Sequence, residues 1–140
     1  MPLSPNEVVI LVVDDEVVVR NLVQRVLARE GYTVLSSTDG VEGLQVFRHF
    51  AEAIHVVVTD IEMPGLDGFA LAAQIRIEKP QTKIIFMSGK LEAAETKPSP
   101  FLAKPFHTRL LLETVRDMLG EIPMTDSSRA SAEPNGDLVS

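Results

Sequence analysis

Apolar residues follow one another along this chain in two alternating patterns. Val8-Val9-Ile10-Leu11-Val12-Val13 is an unbroken, mostly β-branched run. Such a run predicts a strand buried on both faces, as in a parallel sheet. The period then changes. Val18, Leu22 and Val26, with Val19, Val23 and Leu27, form one broad stripe at helical spacing, and Gly31 is a stop signal. Tyr32-Thr33-Val34-Leu35 predicts a short second strand. Asp39 predicts a cap for a helix carrying Val41, Leu44, Phe47 and Phe50. Ile54 to Thr59 predicts a third strand, with His55 inside it. Met63-Pro64-Gly65-Leu66-Asp67-Gly68 predicts a loop, and the helix after it, with Phe69, Leu71, Ala72, Ile75 and Ile77, ends before Pro80. Lys83 to Met87 and Phe101-Leu102-Ala103 predict the fourth and fifth strands. A last helix carries Leu110, Leu111, Val115, Met118 and Leu119 and stops at Gly120.

Alternation of strand and helix predicts an α/β fold, a doubly wound sheet with right-handed crossovers. In such sheets ligands bind beyond the carboxyl ends of the strands. Sorting polar residues by strand end is therefore informative. The first strand delivers Asp14 and Asp15, the third Asp60, the fourth Ser88 and the fifth Lys104. Taken singly, each is a helix cap, a turn or a strand end. Taken together they bring three carboxylates, a hydroxyl and an ammonium to one rim. Clustered carboxylates repel unless a cation sits among them. All-oxygen ligands without cysteine favour a hard ion, Mg²⁺ before others.

Composition narrows the class. The chain has 140 residues, 13 Lys+Arg against 20 Asp+Glu, and no cysteine. A net charge of −7 argues against a nucleic-acid or anionic-membrane partner. The absence of cysteine excludes disulfides and thiol chemistry and fits a reducing, cytoplasmic setting. No signal peptide or spanning segment is visible. Residues 121–140 are rich in serine and hold four acids and one arginine, so they read as a disordered tail. The expected organisation is an extension over 1–6, a domain over 7–120 and the tail.

The pattern resembles the receiver domain of two-component response regulators, a flavodoxin-like fold. The resemblance covers about residues 7–120 and rests on Asp14-Asp15, on Asp60-Ile61-Glu62-Met63-Pro64-Gly65-Leu66-Asp67-Gly68, on Ser88 and on Lys104-Pro105-Phe106. It implies a five-stranded parallel sheet of order 2-1-3-4-5 with helices on both faces. It implies that Asp60 is the phospho-acceptor, attacking a phosphoryl group carried on a histidine of a kinase or phosphotransfer protein. Asp14, Asp15 and Asp60, with the backbone carbonyl of Glu62, would hold Mg²⁺. Lys104 would touch the phosphoryl oxygens, and Ser88 and Phe101 would be the switch residues. The Lys104–Pro105 bond is a candidate cis peptide. The output would be a changed surface for a downstream protein.

Two features depart from the family pattern. Ser88 and Lys104 are only 16 positions apart, which predicts a shortened or irregular fourth helix between them, a helix that belongs to the family's usual output and dimer surface. The switch aromatic is Phe101 rather than tyrosine or histidine, so any inward swing rests on packing alone. Glu62 and Lys90, each two residues beyond a site residue, are expected to pair across the path of the hydrolytic water. His49, His55 and His107 read as structural, and Gly65 or Gly68 supplies a positive φ or a close approach.

Three functions fit these residues. The first is a phospho-acceptor module, a single-domain regulator or the receiver of a hybrid kinase, with self-phosphorylation and slow autodephosphorylation as its only chemistry. The second is a module of the same fold that signals without phosphate. The third is a small enzyme with an aspartyl-phosphate intermediate, for which Glu62 would be the acid–base group.

Overall fold

The computed structural model describes residues 4–90, 100–120 and 138–139. Strands β1 (Val9–Val13), β2 (Thr33–Ser37), β3 (Ile54–Asp60), β4 (Lys83–Ser88) and β5 (Phe101–Ala103) form one parallel sheet, in the order β2-β1-β3-β4-β5. Among the described residues the helices are α1 (Val17–Arg29), α2 (Gly40–His49), α3 (Gly68–Glu78) and α4 (Thr108–Leu119). None of them is long and apolar enough to cross a membrane.

The unbroken apolar run of β1 follows from its central place. Successive side chains on a strand point to opposite faces. Ile10 and Val12 pack with Val19, Val23, Leu27, Leu111 and Val115, so α1 and α4 cover one face. Leu11 and Val13 pack with Phe47, Leu71 and Ile75, so α2 and α3 cover the other. From Ile10 to Val13 both faces of β1 are shut off from water.

The stripe on α1 is narrower than the sequence predicts. Val19, Val23 and Leu27 are buried and Leu22 and Val26 pack at the edge, but Val18 is 71% exposed. It lies about 100° around the helix from Val19 and points away from the sheet. Val41 and Phe50 are also exposed, so α2 is anchored in the core by the buried Phe47, with Leu44 and Val46 packed beside it. Ile77 is exposed at the last turn of α3.

His55 has a structural task. The register slips between Val9 and Ile10, so that Val9 pairs with Ile54 and Ile10 with Val56. The Val9 N–H left over by this bulge donates to His55 Nδ1 at 3.2 Å. Burial, then the Lys79 charge, holds this imidazole below its ordinary pKa, consistent with a neutral acceptor.

Two expectations meet the limits of the described residues. The shortened fourth helix falls on residues 91–99, which lie outside them. Most of the tail does too, but Leu138–Val139 form β7, antiparallel to β6 (Phe106–His107). The sequence gives no warning of this pairing, because two-residue strands carry no periodicity. The 3₁₀ turn Pro5–Glu7 precedes β1, and the Thr33 hydroxyl donates to the Asn6 carbonyl at 3.0 Å. The described part of the extension, residues 4–6, therefore reaches the edge of the sheet.

Candidate functional site

The parallel strands end at a common level, and the chain leaves each end through a tied turn. Ile61 N–H donates to the Met87 carbonyl at 3.0 Å, and Lys104 N–H to the Ser88 carbonyl at 2.9 Å. These bonds extend the ladder just past the strands and fix where the rim residues start. The Lys104–Pro105 peptide is cis.

The loop between β3 and α3 is fixed by two glycines that do different things. Gly65 has φ +78°, a turn conformation that glycine adopts freely. Gly68 provides the close approach, since a Cβ there would stand 2.2 Å from the Asp60 carbonyl oxygen. Asp67 caps α3 by accepting from the Ala70 N–H at 2.8 Å. The first turn of α3 is thereby seated directly on the backbone of Asp60.

At the rim, Asp14 and Asp60 are buried and Asp15 is exposed. One carboxylate oxygen from each of the three lies within 4.8 Å of the others. Lys104 Nζ reaches in at 3.1 Å from Asp14 Oδ2, 3.1 Å from Glu16 Oε1 and 3.5 Å from Asp60 Oδ1. A cleft of about 470 Å³ opens over this group, lined by Asp15, Glu16, Asp60, Glu62, Lys90 and Lys104 among others.

The electrostatics follow from crowding. Burial, then the Asp14 charge, pushes the Asp60 carboxyl up to about 7, against the pull of Lys104. Burial also raises Asp14, against its hydrogen bond from the Glu16 N–H. For Lys104, burial works against the ammonium, but the Asp14 and Asp60 charges and its hydrogen bonds together hold it above its ordinary value. Three converging hard oxygen donors with one ammonium in direct contact make a donor set that suits a small divalent cation. The residues present therefore fit Mg²⁺.

Ser88 and Glu62 depart from the expected pairing. Glu62 accepts from the Ser88 hydroxyl at 2.7 and 2.8 Å through its two oxygens. Lys90 meets this pair through its backbone N–H, which donates to Ser88 Oγ at 3.0 Å. No Glu62–Lys90 ion pair forms among the described residues. The Ser88 hydroxyl, held at the end of β4, is nearer to hand for Glu62 than a side chain on the following loop. Phe101 pairs with Phe86 across β4 and β5 and packs against the core under α2 and α3. His49 stacks edge-on against Phe50, and His107 caps α4 without a side-chain cap bond.

Two further residues complete the rim. Glu16 shares Lys104 with Asp14, and the Arg20 guanidinium donates to the Asp14 backbone carbonyl at 2.7 Å. The acidic triple Asp14-Asp15-Glu16 was a visible signal for the first. The second has no local signal, because Arg20 looks like any polar residue on an amphipathic helix.

The family model "response regulator receiver domain" matches residues 10–116. The sensor kinase CckA of Brucella abortus is 38% identical over 116 residues, covering 79% of this chain and 12% of that protein. The aerobic respiration control protein ArcA of Escherichia coli K12 is 34% identical over 116 residues, covering 79% of this chain and 48% of that protein. The solved receiver domain of the hybrid histidine kinase CckA superposes with a TM-score of 0.70 at 36% identity, covering 79% of this chain and 98% of that one. This chain thus spans about half, or much less, of these two curated relatives.

Proposed function

The chain belongs to the response regulator receiver domain family, and from that premise we propose that Asp60 accepts a phosphoryl group from a histidine kinase or a histidine-phosphotransfer protein. The observation that carries this is the convergence of Asp14, Asp15 and Asp60, with Lys104 Nζ 3.5 Å from the Asp60 carboxylate. An Asp60 oxygen forms the new O–P bond while the P–N bond to the donor histidine breaks, its electron pair staying on the imidazole. Asp14, Asp15 and Asp60, with the Glu62 backbone carbonyl, would hold Mg²⁺, which when bound supplies positive charge beside the phosphoryl oxygens. Lys104 offsets the charge that builds on those oxygens, from a position already fixed by Asp14 and Glu16. Ser88 donates to the phosphoryl group once it is in place, and this movement, with repacking of Phe101, alters the surface read by a downstream protein.

Under this reading the domain acts on itself and not on an external substrate. Acetyl phosphate with Mg²⁺ is expected to add one phosphoryl group to the wild type and none to Asp60→Asn, as read by intact mass. No modification of the wild type would instead favour a module that signals without phosphate. Sustained hydrolysis of an external phosphoester would favour an aspartyl-phosphate enzyme.

A further inference from the structure

The Ser88 hydroxyl has one proton to give. That proton points at the Glu62 carboxylate, 2.7 Å from Oε1 and 2.8 Å from Oε2. Ser88 is 2% exposed, so water has little access to compete for it. Its oxygen is also engaged, accepting from the Lys90 N–H at 3.0 Å. Donation to an ionised acceptor is roughly twice as strong as donation to a neutral one. The hydroxyl cannot remain on Glu62 and donate to a second acceptor beside Asp60.

We propose that Glu62 is a positioning residue that holds the Ser88 hydroxyl away from the acceptor site, so that the strength of this contact sets how readily the domain takes up a phosphoryl group. The inference rests on the reading of Asp60 as phospho-acceptor. Glu62 opposes occupancy in two separable ways. Its hydrogen bond occupies the donor that the new group needs, and its charge lies beside a site already crowded with carboxylates. The first effect requires Ser88, and the second does not.

Beryllofluoride, a phosphoryl mimic, tests this with the full chain at saturating Mg²⁺, by calorimetric titration. Glu62→Ala is expected to bind it about tenfold more tightly than wild type, the scale of a lost charged hydrogen bond. Glu62→Gln, which keeps an acceptor without the charge, should fall between. In a Ser88→Ala background most of the gain from Glu62→Ala should disappear, and the amide resonance of Lys90 should shift in Glu62→Ala before any ligand is added. An equal gain with and without Ser88 would show that only the charge matters and would overturn the proposal. Unchanged affinity in Glu62→Ala would overturn it as well. If wild type bound no better than Asp60→Asn, the acceptor reading itself would fail and this inference with it, a signature distinct from the other two.

Discussion

Burial and the Asp14 charge push the Asp60 carboxyl up to about 7, so an ionised Asp60 destabilises the cation-free domain. Between its unfolded value near ~4 and about 7, the folded state binds this proton more tightly than the unfolded state does. The contribution to stability is thus full below the lower value and lost as the pH rises through the upper one. Asp60→Asn removes it from the balance. Without divalent cation, the variant should be more stable than wild type at pH 8 by about 2 kcal/mol, and the gap should close towards pH 5. Urea denaturation in the presence of chelator checks both. A gap independent of pH would show that the carboxylate is not what strains the site. The strand-end position of Asp60 was legible from sequence. Its contact environment was not, because Asp14 lies 46 residues earlier and Lys104 is 44 residues later in the chain. The same holds for Glu62, whose acidity is plain in the sequence but whose partner is not, because a hydrogen bond to a residue 26 positions away leaves no local trace.

Among the elements, the start of α3 is the one on which the rim most depends. A Cβ at Gly68 would meet the Asp60 carbonyl oxygen at 2.2 Å and the Ile61 Cα at 2.9 Å, both of them backbone atoms that cannot turn aside. Gly68→Ala is therefore expected to cost about 2 kcal/mol, typical of overpacking, and also to weaken acquisition of phosphate from acetyl phosphate, because the strain falls on the Asp60 peptide itself. Thermal denaturation and intact mass measure the two. A variant that loses stability but takes up phosphate at the wild-type rate would separate helix seating from the site. The helix itself was readable, as were the Pro80 stop and a glycine-rich entry. Which glycine turns and which one packs is not written in the sequence, because both look alike in a loop. The limits of helix reading show at Val18, where apolar character alone could not tell the buried row of α1 from the position beside it. They show again at β6 and β7, where the pairing partners are 31 and 33 positions apart and neither is long enough to have a period.

At the scale of the molecule, the sheet is a platform whose two faces are covered independently and whose carboxyl end concentrates charge. Arg116–Glu30 ties α4 to the end of α1 on one face, and Arg48–Glu78 ties α2 to α3 on the other. Such pairs near solvent are screened and contribute little, so the two apolar layers hold the fold. The rim is different, because a cation there would relieve repulsion between groups that arrive from separate strands. Mg²⁺ should raise the melting temperature, and at ~100 times its dissociation constant the gain is about 2.7 kcal/mol. Binding needs the ionised carboxylate, so the gain should be smaller at pH 6 than at pH 8, the sign set by the raised Asp60 pKa. Calorimetric scans at the two pH values with Asp15→Asn as control check it. An equal gain in wild type and Asp15→Asn would place the cation elsewhere.

What this chain's sequence determined by itself is whatever is written in local order. The β-branched runs, the helical stripes and the punctuation by glycine and proline specify five strands and the α/β alternation, because burial on two faces, or on one, leaves a period along the chain. That alternation in turn assigns Asp14, Asp15, Asp60, Ser88 and Lys104 to one end of a sheet. Which of them touch is settled by the packing of the folded chain. Lys104 chose Asp14, Glu16 and Asp60, and Ser88 chose Glu62. Contacts of this kind depend on how strands from distant parts of the chain come into register and on which polar groups are left without water, and no spacing in the sequence encodes either.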